Sequence, residues 1–171
     1  MPFNAPIPKA DVERLNTVIE SARRNGYPIK VALIGAPPDL GSAFTLWGKP
    51  QQYSRFLGQE LVFLYKGRLL VVMPNGYGFS RGGKATPEAS TLAGLKVTPG
   101  PAGLTDSAVR AVARLAAAAG HPIPIPAKPK GSSTSTDRVI IVVAAALLLA
   151  GLAAFRFRKR LWRAVPGTGP Q

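Results

Sequence analysis

Seventeen consecutive residues, Val139 to Phe155 (VIIVVAAALLLAGLAAF), carry no charged or strongly polar side chain. As a helix rising ~1.5 Å per residue this run covers about 25 Å, the short end of what a hydrocarbon core of roughly 30 Å requires. Snorkelling by Arg138 and continuation to Phe157 lengthen it. Apolar runs of roughly 10 to 14 residues are often buried core helices, but this one is longer, uniformly apolar and close to the C-terminus. The reading is one C-terminal transmembrane helix over residues 138–157.

Arg156, Arg158, Lys159, Arg160 and Arg163 follow at once, with Trp162 among them as an interfacial anchor. Cations beside a span stay on the cytoplasmic side, so these five are a topology signal: residues 158–171 form a basic cytoplasmic tail and residues 1–137 lie outside. A lipid- or nucleic-acid-binding motif needs more, because each cation near an anionic leaflet adds only general attraction. Removing these five from the net charge of +14 leaves +9, scattered mostly singly. With no basic cluster interleaved with aromatics, nucleic acid is not an expected partner. The expected partners are the lipid bilayer and another envelope or membrane protein. The opening MPFNAPIPKADVERL has no apolar core of an export signal. A signal segment upstream of this start is therefore expected. The other option, a tail-anchored protein with its domain in the cytosol, goes against the charge rule.

A chain of 171 residues has room for one compact domain besides such a span. Without cysteine it has no disulfide, thiolate metal site or cysteine nucleophile, and with His121 as its one histidine a His-rich metal centre or a Ser/His/Asp triad is improbable. No cofactor is expected.

In residues 10–25, Val12, Leu15, Val18, Ile19 and Ala22 share one helical stripe, with Asp11 and Glu13 in the first turn, Arg23 and Arg24 in the last, and Gly26 as a stop. Ile29 to Gly35 (IKVALIG) reads as a buried strand. Pro50 opens a second helix whose apolar face is Tyr53, Phe56, Leu57 and Leu61. Leu61 to Tyr65 and Leu69 to Met73 read as a hairpin about Lys66-Gly67-Arg68. Residues 80–103, rich in Gly, Pro and Thr, read as an exposed loop. Thr105 is the expected cap of a last helix ending at Gly120, with Leu104 and Val109 as its hydrophobic staple. The fold class is α/β, a small mixed sheet with flanking helices in the order α-β-α-β-β-α. Residues 1–120 form this domain, and 121–137 (HPIPIPAKPKGSSTSTD) form a Pro/Ser/Thr-rich stalk in which His121 is solvated.

Three patterns carry possible chemistry. Gly78 to Ala85 (GFSRGGKA) approaches a phosphate loop, but Ala85 stands where the magnesium-binding hydroxyl belongs and Thr86-Pro87 disfavours a helix starting at Lys84. Gly76-Tyr77-Gly78 does not extend to a dinucleotide fingerprint, since Arg81 takes the place of the third glycine. The eight carboxylates are mostly isolated along the chain. Asp39 alone lies just beyond the C-terminal end of a strand, where open α/β sheets place their ligands. With Asn75, Gly76, Tyr77 and Gly78 it makes a candidate crevice. The competing reading is an Asx-type turn after Pro38, with glycines that serve tight turns. No residue is assigned as catalytic or as a metal ligand.

The strand IKVALIG, the turn PPDLGS, the helix containing QQYSRFLGQEL and the segment VFLYKGRLLVVMPNGYGF, in this order, resemble the TPM domain. That family is named for a thylakoid phosphatase, a photosystem-repair protein and a modulator of acetylcholine-gated channels. The resemblance covers about residues 10–120. It implies a compact α/β fold, commonly exported and tethered by a C-terminal span. Members credited with phosphatase activity or calcium binding carry clustered acidic residues at the strand ends. This chain has Asp39 there, with Gly48 and Lys49 where an acidic, Asn/Gly-rich segment is expected. The resemblance thus implies the fold more than the catalysis. The leading expectation is an extracytoplasmic, non-catalytic interaction or envelope-maintenance module, and the alternative is a weak metal-dependent phosphatase using Asp39.

Overall fold

The computed structural model describes residues 7–128. The expected span, the basic tail with Arg156, Arg158, Lys159, Arg160 and Arg163, and the Ser/Thr half of the stalk lie outside the described residues. Among the described residues no helix is long and apolar enough to cross a membrane.

Helix α1 (Lys9–Arg24) forms where the three- and four-residue spacing predicts it, burying Leu15, Val18 and Ala22. Arg23 and Arg24 in its last turn reach back to Glu20 at 2.7 and 3.0 Å. These contacts hold the Glu20 carboxyl down to about 2. After Gly26 at φ +85° the chain enters β1 (Ile29–Leu33), then a kinked 3-10 segment (Pro37–Leu46) and helix α2 (Pro50–Glu60). Strands β2 (Arg68–Met73) and β3 (Gly76–Arg81) follow, then a short 3-10 segment (Pro87–Leu92) and helix α3 (Pro101–Ala118). The order α-β-α-β-β-α is the expected one.

Its hairpin is built from different residues than the apolar runs suggest. β2 pairs antiparallel with β3, Arg68 opposite Arg81 through Met73 opposite Gly76, across a two-residue Pro74-Asn75 loop. The expected first arm, Leu61 to Tyr65, instead unwinds from α2: Val62 N–H donates to Gln59 O, and Leu64 and Tyr65 N–H both donate to Leu61 O. These N–H groups are taken up by carbonyls of the last turn of α2 and of Leu61 itself, which leaves the segment in turn geometry. The supposed loop 80–103 is also corrected. Ser80 and Arg81 complete β3, Pro87–Leu92 is helical, and α3 begins at Pro101. Thr105 is inside α3, its hydroxyl donating to Pro101 O at 3.0 Å. The start is set by Gly100 at φ +85° and by Pro101, whose missing N–H costs nothing in a first turn.

The sheet order is β1-β2-β3, with β1 parallel and β3 antiparallel to the central β2. Side chains of β2 alternate between two cores. Leu70 and Val72 meet α1 and α3 with Val18, Phe79, Val109 and Val112. Val71 and Met73 meet Tyr53, Ile34 and Leu40 on the α2 side. All four β2 residues are fully buried, as a strand covered on both faces requires.

α2 lies close against β3 because β3 offers it no bulk. A Cβ on Gly78 would strike the Pro50 carbonyl group, and one on Gly58 would fall 2.7 Å from Gly83 N. Ser80 Oγ, buried between them, donates to Ser54 O at 2.6 Å. Gln51 grips the outer edge of β3 with both ends of its amide: Nε2 donates to Phe79 O at 2.8 Å and Oε1 accepts from Phe79 N–H at 3.0 Å. A side chain thus takes the part of a neighbouring strand and blunts the edge.

The first eight residues of the expected stalk run along the domain. His121 N–H donates to Ala116 O at 2.8 Å, and its ring tilts against Tyr27 with centroids 6.2 Å apart. Asn25 Nδ2 donates to Pro122 O at 2.8 Å, Ile123 packs on the larger core, and Arg14 Nε donates to Pro126 O at 2.9 Å. His121 is therefore half-buried rather than fully solvated.

Candidate functional site

The loops at the C-terminal ends of β1 and β2 make the candidate crevice, and its polar groups are engaged in holding those loops. Gly35 leads from β1 into Ala36-Pro37-Pro38, where two consecutive prolines donate no N–H. Asp39 turns back over this start: its Oδ2 accepts from Gly35 N–H at 2.8 Å and from Ala36 N–H at 2.9 Å, while Asp39 N–H donates to Ala36 O at 3.1 Å. Asp39 thus reaches back from the third position of the 3-10 segment to the main chain at its start, as the acidic arm of a capping box does, and not forward as in an Asx turn. Gly41, at φ +55°, then kinks the segment so that Leu40 turns into the smaller core.

The same loop is held at its other end by Asn75, whose Nδ2 donates to Gly48 O. Gly48 at φ +74° brings its carbonyl to the β2–β3 turn, and Lys49 and Pro50 start α2 directly behind it. Tyr53, one turn into α2, lies near enough to Asp39 to respond to it. Burial raises the Tyr53 hydroxyl above its ordinary pKa, and the Asp39 charge raises it further.

The structure brings Asp39 and Asn75 to one loop and separates the other candidates from them. Tyr77 sits on the opposite face of the sheet, packed beside the larger core, with its hydroxyl donating to Lys96 O at 3.3 Å. Gly78 lies beneath Pro50, and Gly76 takes up the end of the hairpin loop. The near phosphate loop is strand and turn: Gly78 to Arg81 belong to β3, and Arg81 and Lys84 close the Gly82-Gly83 turn with reciprocal main-chain bonds of 3.0 and 3.1 Å. No helix begins at Lys84, so main-chain N–H groups are not gathered there for a phosphate. Among the described residues, no group of three or more His, Cys, Asp or Glu side chains comes together to hold a metal ion.

Two polar clusters are invisible in the sequence because their members lie far apart along it. Arg14 of α1 meets Asp106 of α3 at 2.8 Å, and Arg110 meets the other Asp106 oxygen at 2.6 Å. Burial pushes the Asp106 carboxyl up, but the Arg14 hydrogen bond and the charges of Arg110 and Arg14 outweigh it, and the group ends below its ordinary value. In the second cluster the Arg68 guanidinium lies 4.1 Å from the Tyr27 ring centroid and pairs with Glu88 at 3.2 Å. Burial and the Glu88 charge push the Tyr27 hydroxyl up to about 12. The first cluster ties α1 to α3, and the second ties β2 to Tyr27 and to the second 3-10 segment. The chain matches no protein-family model, no curated protein and no solved structure.

Proposed function

We propose that the chain is a single-pass membrane protein presenting a small α/β domain of the TPM type outside the bilayer, where it serves as a non-catalytic interaction or envelope-maintenance module. The observation that carries the non-catalytic reading is the use made of Asp39. Its Oδ2 is committed to two main-chain donors of its own loop, and residues 35–49 contain no second carboxylate to share a cation with it. A hydrolytic metal site needs converging acidic ligands and an open position for water. The tether is supported by the apolar run 139–155 and the five cations after it, and the family by the order of elements and the segments that resemble it.

Two measurements on the full-length chain in its own membranes test this. The chain has no cysteine, so single cysteines placed at Asn16 in the domain and Thr168 in the tail report sidedness. A membrane-impermeant maleimide labels the first in intact cells and the second only after permeabilisation. The reverse pattern overturns the orientation. Phosphomonoester turnover with added divalent metal is expected to be the same with and without Asp39→Asn. Metal-dependent turnover that Asp39→Asn abolishes would establish the phosphatase in its place.

A further inference from the structure

The end of the sheet away from the candidate crevice carries an apolar tip. Where the chain unwinds from α2 toward β2, Phe63 is 95 % exposed and Leu64 is 86 % exposed. Neither packs in either core. Their main chain is nevertheless held, by the bonds to Leu61 O at 2.9 and 2.7 Å and by Tyr65 Oη donating to Arg68 O at 2.8 Å.

Exposed cations surround this tip. Lys30 Nζ lies 4.6 Å from the Tyr65 ring centroid. Lys66 adjoins the β3 end turn: a Cβ on Gly82 would lie 3.5 Å from the Lys66 carbonyl oxygen, and Gly82 N–H donates to Gly67 O at 3.3 Å. Arg81 and Lys84 flank that turn. Lys30, Lys66, Arg81 and Lys84 are all exposed, and none takes part in an ion pair among the described residues. Between residues 55 and 84 the one carboxylate is Glu60, the last residue of α2.

We propose that this tip, Phe63 and Leu64 ringed by Lys30, Lys66, Arg81 and Lys84, inserts into an anionic lipid surface. Two large side chains fall far short of the roughly 800 Å² per partner that a stable protein interface buries. They suit a headgroup and acyl boundary about 5–10 Å deep, and the unpaired cations complement its negative skin. The proposal rests on the tethered reading for the nearness of the bilayer. Lys128 and Val139 are separated by ten residues, a reach of roughly 33–36 Å when extended, comparable with the width of a domain this size, roughly 35 Å. The tether therefore does not prevent the tip from lying on the membrane.

The test uses the full-length chain in liposomes, with one cysteine replacing Leu64 or, as control, Asn16, each carrying an environment-sensitive fluorophore. In phosphatidylglycerol-containing liposomes the label at 64 is expected to shift to the blue and to be quenched by a lipid-borne quencher, while the label at 16 is not. In phosphatidylcholine alone the shift falls, and Lys66→Gln and Lys84→Gln each weaken the inserted state about fivefold. A label at 64 that reads as aqueous on anionic liposomes overturns the proposal. So does a shift that is equal in both lipids and grows with protein density, which would assign the tip to a second copy of the chain. Retention after an alkaline wash reads the span separately: a released chain refutes the tether, while the label still reports whether the tip enters lipid.

Discussion

Arg14 is a buried cation on the inner side of α1, and its partner Asp106 is also largely buried, with side chains 8 % and 14 % exposed. Removing one partner leaves the other desolvated and unpaired, so Asp106→Ala is expected to cost about 3 kcal/mol in denaturant unfolding of residues 7–128. The pair also sets an acid limit. The folded-state pKa of Asp106 is lowered, so the unfolded chain takes up its proton first. The contribution is fully present above the ordinary carboxylate pKa near 4 and is lost as pH falls through the lower folded value. Unfolding measured from pH 7 down to pH 2 should show this loss, and Asp106→Asn should flatten it. Asp39 is a residue whose position was legible and whose job was left open: its place after two prolines allowed either a ligand or a turn. The two N–H groups on its Oδ2 show it closing the start of the 3-10 segment, a bond that no local pattern announced. Replacing it by Ala should cost about 1–2 kcal/mol, read by the same unfolding measurement.

Helices α1 and α2 and strand β1 were legible as elements because stripe spacing, flanking charges and breakers agreed with one another. The hairpin was not, since Leu61 to Tyr65 is as apolar as Leu69 to Met73 and carries equally good strand formers. What separates them is partnership: β2 finds β1 on one side and β3 on the other, while Leu61 to Leu64 remain attached to the end of α2. β3 itself, GYGFSR, is too glycine-rich to announce a strand. Its glycines make sense only once α2 is laid upon it. Glycine inside an exposed helix ordinarily gains about 1 kcal/mol on change to Ala. Gly58→Ala should instead destabilise, because the added methyl would lie 2.7 and 2.8 Å from the main chain of Gly83. Gly78→Ala, which meets the Pro50 carbonyl group, should cost more, upwards of about 3 kcal/mol. Thermal unfolding of the two variants checks both the sign and the order.

The boundary of the domain is a property of the whole molecule. The proline-rich segment beginning at His121 has the composition of a stalk, yet its first residues lie along α1 through Asn25, Ile123 and Arg14. Ending the domain at 120 rather than 128 should therefore lower its stability by about 2–3 kcal/mol, from the lost apolar contact and the hydrogen bonds, one of them to a charged group. Equilibrium unfolding of residues 7–120 against 7–128 measures this. The sequence by itself determined the α/β class and the elements α1, β1 and α2, because these follow from local spacing, flanking charges and breakers. The tertiary structure decided which apolar run joins the sheet, that residues 121–128 lie along the domain, and why Gly58 and Gly78 carry no side chain. Those outcomes depend on strand partners, close main-chain approach and hydrogen bonds between residues distant in the chain, and no local pattern encodes which distant group will arrive.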